Sequence, residues 1–186
     1  MPTVLVILPE GFEELEAIAP IDVLRRAGCL VTLAALGPTR RVVGRNDIAV
    51  EADLLLADLP SVPSPTSAPT WDCLLLPGGP GVASLRASSA VRELVTRHHS
   101  AGKLLAAICA APTVLHDAGL LVGRRYTAHP SVANELNAIL TDERVVHDGN
   151  ILTSRGAGTA LDFGLALIAT LVSPEKSSEI ASVICA

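Results

Sequence analysis

Leu104-Leu105-Ala106-Ala107-Ile108-Cys109-Ala110-Ala111-Pro112 is an uncharged apolar run that ends in a cysteine, two alanines and a proline. Such a run has the length of a fully buried strand. Pro112 suits the first turn of a helix, where its missing N–H costs no hydrogen bond. The stretch therefore predicts a strand over 104–108, a corner of small residues at Cys109, and a helix from about Ala110 to Ala118 that Gly119 ends. A side chain on such an elbow projects from the sheet edge beside unpaired helix N–H groups.

The same rhythm recurs on both sides. Val4 to Leu8, Leu30 to Leu36 and Cys73 to Leu76 read as buried strands. Glu13 to Ala27 and Ala90 to Ser100 carry helical spacing, as does Thr159 to Val172. Alternation of this kind is the βαβ pattern of a mostly parallel sheet covered by helices. Val42 to Val50 holds the turn residues Gly44-Arg45-Asn46-Asp47, which predict a hairpin with a structural role at the sheet margin. The Pro- and Ser-rich stretch Pro60 to Thr70 predicts an extended surface loop. A helix is expected at Ser131 to Leu140, a strand pair around Val145 and Ile151, and a last helix capped by Ser173 with Pro174 in its first turn.

At 186 residues the chain fits one domain, residues 1–186. Hydrophobic residues make up 49% of it and aromatics 2%, so the core must be aliphatic. The net charge is −5 and no basic stripe is interleaved with aromatics, which argues against a nucleic-acid partner. Leu161 to Val172 is too short and too interrupted to span a membrane, and Met1-Pro2 leads directly into the first strand. Cysteines 29, 73, 109 and 185 are widely spaced, with neither a Cys-x-x-Cys pair nor histidines at zinc spacing. No disulfide framework, metal site or cofactor is expected, and a reducing, cytoplasmic setting is the natural one.

Chemistry is expected at Cys109. A cysteine in a buried run is usually inert packing, but an elbow places sulfur at a helix start, which favours thiolate over thiol. The expectation is a sulfur ionised near neutrality. Leu76-Pro77-Gly78-Gly79-Pro80-Gly81 follows another buried strand, and its glycines let N–H groups approach a neighbouring oxyanion. It lacks the Lys-Ser/Thr of a phosphate loop. Glu13 and Glu14 read as solvated first-turn acids, whereas Glu16 can face the sulfur as a carboxyl of raised pKa. His129, in Thr127-Ala128-His129-Pro130, is the candidate proton carrier; His98, His99, His116 and His147 lie in polar helical or turn contexts.

Glu-Glu-x-Glu at 13–16, Leu-Pro-Gly-Gly at 76–79, Ala-Ile-Cys-Ala-x-Pro at 107–112, Thr-x-His-Pro at 127–130 and Leu-Thr-Ser-Arg-Gly-x-Gly-Thr at 152–159 stand in one collinear order from Val4 to about Val172. Together they resemble the DJ/ThiJ/PfpI superfamily, in particular its parkinsonism-associated deglycase branch. The resemblance implies a flavodoxin-like three-layer sandwich of the class I glutamine-amidotransferase type, and a homodimer. It implies Cys109 as nucleophile or oxidation site, Glu16 as the protonated acid bonded to it, and His129 beside them. Oxyanion amides would come from Gly79 and Ala110. Asp22, Arg26 and Arg155 match positions near the pocket or the dimer contact. Where relatives often carry Asn after the two glycines this chain has Pro80, and Ala111 replaces a glycine of the elbow. The implied activity is that of a cofactor-independent glyoxalase or deglycase acting on small α-oxoaldehydes or glycated amino groups. The alternative is a peroxide sensor with chaperone function in which Cys109 is oxidised to sulfinate, and an intracellular protease ranks last.

Overall fold

The computed structural model describes residues 1–59 and 71–186. The loop expected at Pro60 to Thr70 lies outside the described residues. Nine strands are described: β1 (Thr3–Leu8), β2 (Leu30–Ala35), β3 (Arg41–Val43), β4 (Ala49–Glu51), β5 (Leu54–Leu55), β6 (Cys73–Leu76), β7 (Leu104–Ile108), β8 (Val145–Asp148) and β9 (Ile151–Ser154). Among the described residues, seven form one sheet in the order β5-β2-β1-β6-β7-β9-β8, parallel except for the β8–β9 pair. The helices are α1 (Glu14–Arg26), α2 (Val82–Ala87), α3 (Ser89–Ser100), α4 (Pro112–Asp117), α5 (Ala160–Leu171) and α6 (Pro174–Val183).

Strand alternation divides the core between two faces. Val4, Val6 and Leu8 of β1, with Cys73 and Leu75 of β6, pack against Ile21 and Leu24 of α1 and Phe163 and Leu167 of α5. Leu5 and Ile7, with Leu74 and Leu76, pack against Val91 and Val95 of α3 and Val114 and Leu115 of α4. Each fully buried side chain of this kind contributes about 1.5–3 kcal/mol, so a sheet covered on both faces is stable with few aromatics. The mostly parallel, helix-covered sheet expected from the βαβ rhythm forms, in the three-layer sandwich that the resemblance implies.

Four local expectations give way to tertiary contacts. No α-helix spans 131–140: Pro130–Val132 is a single 3₁₀ turn. Beyond it only Leu136 N–H, among the described residues of this stretch, bonds four residues back, to the Val132 carbonyl at 3.0 Å; the chain that follows bonds sideways. Ala138 N–H donates to Tyr126 Oη at 3.2 Å, Leu140 N–H to the Tyr126 carbonyl at 3.0 Å, and Thr127 Oγ1 to the Leu140 carbonyl at 2.8 Å. The β3–β4 hairpin forms a separate two-stranded sheet, not a margin of the main one, and its turn reaches the site described below. Glu13 and Glu14 are buried, not solvated. Among the histidines, His98 is buried with Nε2 unpartnered, and burial, reinforced by the charges of Lys103 and Arg97, pushes its pKa down to about 4.

Helix α1 packs tightly on α5. A β-carbon at Gly164 would lie 2.5 Å from Val23 Cγ2 and 3.0 Å from Pro20 Cα, and Pro20 has no freedom to retreat within its helix. Replacing Gly164 by Val is expected to destabilise the fold by about 3 kcal/mol through overpacking, read as a lowered denaturation midpoint; an unchanged midpoint would mean the two helices are not in the contact described.

Candidate active site

The strand order reverses at β1: β2 and then β5 are laid down on one side of it, after which the chain crosses over to place β6 on the other. Open α/β sheets place ligands at the carboxyl ends of the strands at such a switch point. Three connections meet there: β1 to α1, β6 to α2, and β7 to α4.

At the last of these the backbone makes an abrupt turn. In a continuing strand residue 109 would follow Leu105 and Ala107 onto the α3–α4 face. Instead Cys109 adopts a left-handed φ of 65°, and its side chain packs with the residues of the α1–α5 face. That conformation costs a non-glycine residue about 1–3 kcal/mol. It is held by two backbone bonds: Cys109 N–H donates to the Ser154 carbonyl at 2.9 Å, and the Cys109 carbonyl accepts from His129 N–H at 2.9 Å. The second bond also fastens the histidine segment to the cysteine segment.

Glu16 arrives from α1 because Glu13 caps that helix, its Oε2 accepting from Glu16 N–H at 2.9 Å. The Glu16 side chain is 1% exposed, accepts from Gly78 N–H at 3.0 Å, and is hydrogen-bonded to the Cys109 thiol. Gly78 must be glycine, since a β-carbon there would strike the Glu16 carboxylate and lie 2.5 Å from Cys109 Cβ. Gly156 marks the meeting point of all three candidate groups. A β-carbon on it would sit 3.3 Å from His129 Cδ2, 3.7 Å from Glu16 Oε1 and 4.0 Å from Cys109 Sγ.

His129 is exposed and caps the start of the Pro130–Val132 turn. Ser131 N–H, which can only donate, points at His129 Nδ1 at 3.2 Å, with Ser131 Oγ at 2.9 Å from the same nitrogen. Nδ1 is therefore the acceptor and the neutral ring carries its proton on Nε2. The N–H groups of Ala110 and Gly79, the expected oxyanion amides, are directed at the sulfur.

The electrostatics correct one expectation. Burial pushes the Cys109 thiol up to about 12, aided by the neighbouring Glu16 charge and the hydrogen bond to it; the Ala110 and Gly79 amides pull the other way and lose. Helix α4 has six residues, too few for a strong dipole. The sulfur is thus not a free-standing thiolate. Burial likewise pushes Glu16 up to about 7, with the Glu13 charge adding to it, while the bonds from Cys109 and Gly78 and the charge of Arg45 pull it down. Whichever partner is charged opposes charge on the other, so the two titrate as a unit that holds one negative charge above neutrality.

The depression over these groups has a volume of about 470 Å³ and is lined by Glu13, Glu16, Arg45, Gly79, Pro80, Cys109, Ala110, His129, Ser131 and Ala157. That is enough space for a small ligand. Asp22 and Arg26 do not reach it; they pair with each other at 2.7 Å on exposed surface. Arg155 lines an adjoining depression that shares His129 and Ala157 with this one. Arg45 and Ser131 are site residues that pattern reading did not single out. The first was absorbed into a hairpin turn and the second into an expected helix. Among the described residues no cluster of three or more His, Cys, Asp or Glu is arranged to hold a metal ion.

Fold and site define an α/β sandwich protein with a cysteine on a strand-to-helix elbow, backed by a buried glutamate. The chain belongs to the DJ-1/PfpI family, whose model matches residues 2–170. It is 41% identical over 181 residues to Protein dj-1beta of Drosophila melanogaster, covering 95% of this chain and 93% of that one. It is 34% identical to the glutathione-independent glyoxalase DJR-1.2 of Caenorhabditis elegans, covering 95% and 92%. The crystal structure of Drosophila melanogaster DJ-1beta superposes with a TM-score of 0.90 at 40% identity, over 99% of this chain and 97% of that one.

A shared proton has a measurable consequence. Alkylation of Cys109 by iodoacetamide is expected to rise with pH through a midpoint near 7, where the pair loses its extra proton. In Glu16→Gln the acceptor is gone and the buried thiol must ionise unaided, so the rate at neutral pH should fall at least about tenfold, one unit of pKa. An unaltered profile in that variant would show that the carboxyl does not govern the sulfur.

Proposed function

We propose that the chain is a cofactor-independent enzyme that converts small α-oxoaldehydes to hydroxy acids through a covalent Cys109 adduct. The observation that carries this reading is the convergence of a nucleophile, a carboxyl titrating near 7 and an Nε2–H imidazole around one small pocket. A relative named as a glyoxalase supports it.

With methylglyoxal the steps balance as follows. The thiol proton passes to the Glu16 carboxylate as sulfur bonds to the aldehyde carbon, and is returned to the new alkoxide, giving a hemithioacetal. N–H groups of Gly79 and Ala110 stabilise the alkoxide. Glu16 then takes the proton from the former aldehyde carbon while His129 Nε2–H protonates the neighbouring ketone oxygen, which yields an enediol. Return of the Glu16 proton to the second carbon, and of the hydroxyl proton of the first to His129, leaves a thioester. Water hydrolyses the thioester to lactate and restores the thiol. Glycated amino groups, which carry the same oxoaldehyde carbons, would enter the same pocket. On this reading the chain works as one domain in a reducing compartment and pairs with a second copy, for which exposed Leu15 and Ile18 on α1 supply apolar surface.

Cys109→Ala should abolish lactate formation from methylglyoxal, and His129→Ala should lower it about a hundredfold, the usual worth of a proton carrier. Lactate formation at the wild-type rate in Cys109→Ala would remove the reading.

A further inference from the structure

One wall of the Cys109 pocket comes from neither β1, β6 nor β7 but from the turn between β3 and β4, which brings Arg45. That turn is tied down by a carboxylate with no part in the chemistry above. Glu14 is 5% exposed, and its two oxygens accept from the Asn46 backbone N–H at 2.7 Å and from Asn46 Nδ2 at 2.8 Å. Two further bonds brace the same connection: Arg45 N–H to the Phe12 carbonyl at 2.9 Å, and Gly11 N–H to the Val43 carbonyl at 2.8 Å. Gly44 lies flat on Glu14, since a β-carbon there would be 2.5 Å from Glu14 Cδ. Arg45 is thus held between a residue pressed against Glu14 and a residue bonded to it.

We infer that Glu14 is a positioning residue for the Cys109–Glu16 pair: its carboxylate locks the Gly44–Asp47 turn and thereby keeps the Arg45 guanidinium beside Glu16. The charged and titratable groups that face Glu16 are Glu13 from its own helix, Cys109 from the elbow, His129 across the pocket and Arg45 from this turn. Of these Arg45 is the permanent cation, and it offsets the Glu13 carboxylate. With the clamp removed the guanidinium is free to move into solvent. Glu16 then keeps its proton to higher pH, and Cys109 gains its reactivity later in a titration. The inference rests on Cys109 and Glu16 acting as a pair, but not on oxoaldehyde chemistry.

The test is the pH midpoint of Cys109 alkylation by iodoacetamide, quantified by mass spectrometry, in Glu14→Ala, Asn46→Ala, Arg45→Ala and the Glu14→Ala/Arg45→Ala double variant. Each single change is expected to raise the midpoint by roughly half a unit. The double variant should match Arg45→Ala alone, because a clamp has nothing left to position. Wild-type midpoints in both Glu14→Ala and Asn46→Ala, or a double variant in which the two shifts add, would overturn the inference. Asn46→Ala, a change at an exposed side chain, carries the test if Glu14→Ala does not fold. Absence of lactate formation by the wild type, alongside the expected midpoints in the variants, would count against the oxoaldehyde reading alone.

Discussion

A thiol and a carboxyl that share one proton in a confined space set the terms for everything around them. Both groups are driven toward their neutral forms by burial, and each suppresses the charge of its partner. The result is an acid that titrates near 7 with a thiol attached. A free thiolate at this position would need stronger stabilisation than the Ala110 amide before a six-residue helix and the Gly79 amide of the β6–α2 connection provide. A lone buried thiol would stay protonated, like that of Cys73, whose burial holds it far above the ordinary thiol range.

The fold supplies that confinement by removing side chains and by bending one residue. Gly78 and Gly156 leave room where the carboxylate, sulfur and imidazole converge. The left-handed turn at Cys109 transfers the side chain from one face of the sheet to the other, where α1 delivers Glu16. Neighbouring strand ends bear the cost of that conformation through bonds from Ser154 and His129, so β7, β9 and the histidine segment are geometrically dependent on one another. Gly164 extends the dependence to α5, because α1 lies as close to α5 as it does only where α5 lacks a side chain.

Much of this was legible in the residues. Buried strands announce themselves by uninterrupted apolar runs, and 73–76 and 104–108 were read to the residue. Helix α6 was visible through Ser173, whose side chain does accept from Lys176 N–H at 3.1 Å, with Pro174 behind it. The βαβ rhythm and five collinear motifs led to the family. What sequence pattern could not show was where distant backbone groups find partners. Residues 131–140 have helical spacing, yet Tyr126 and Thr127 offer their backbone bonds that a helix would have satisfied internally. Glu14 looks like a solvated first-turn acid until Asn46, 32 positions away, covers it. The ionisation of Cys109 departs from the sequence expectation for a related reason: the elbow motif reveals the helix amides that lower a thiol's pKa, but not the depth of burial that raises it.

The most direct measurement of the shared proton is a pH titration of the Glu16 carboxyl by carbon-13 NMR, in the wild type and in Cys109→Ser. In the wild type the carboxyl should titrate near 7. Loss of the sulfur should shift that step. A carboxyl that titrates in the ordinary carboxylate range, indifferent to the atom at position 109, would contradict the account.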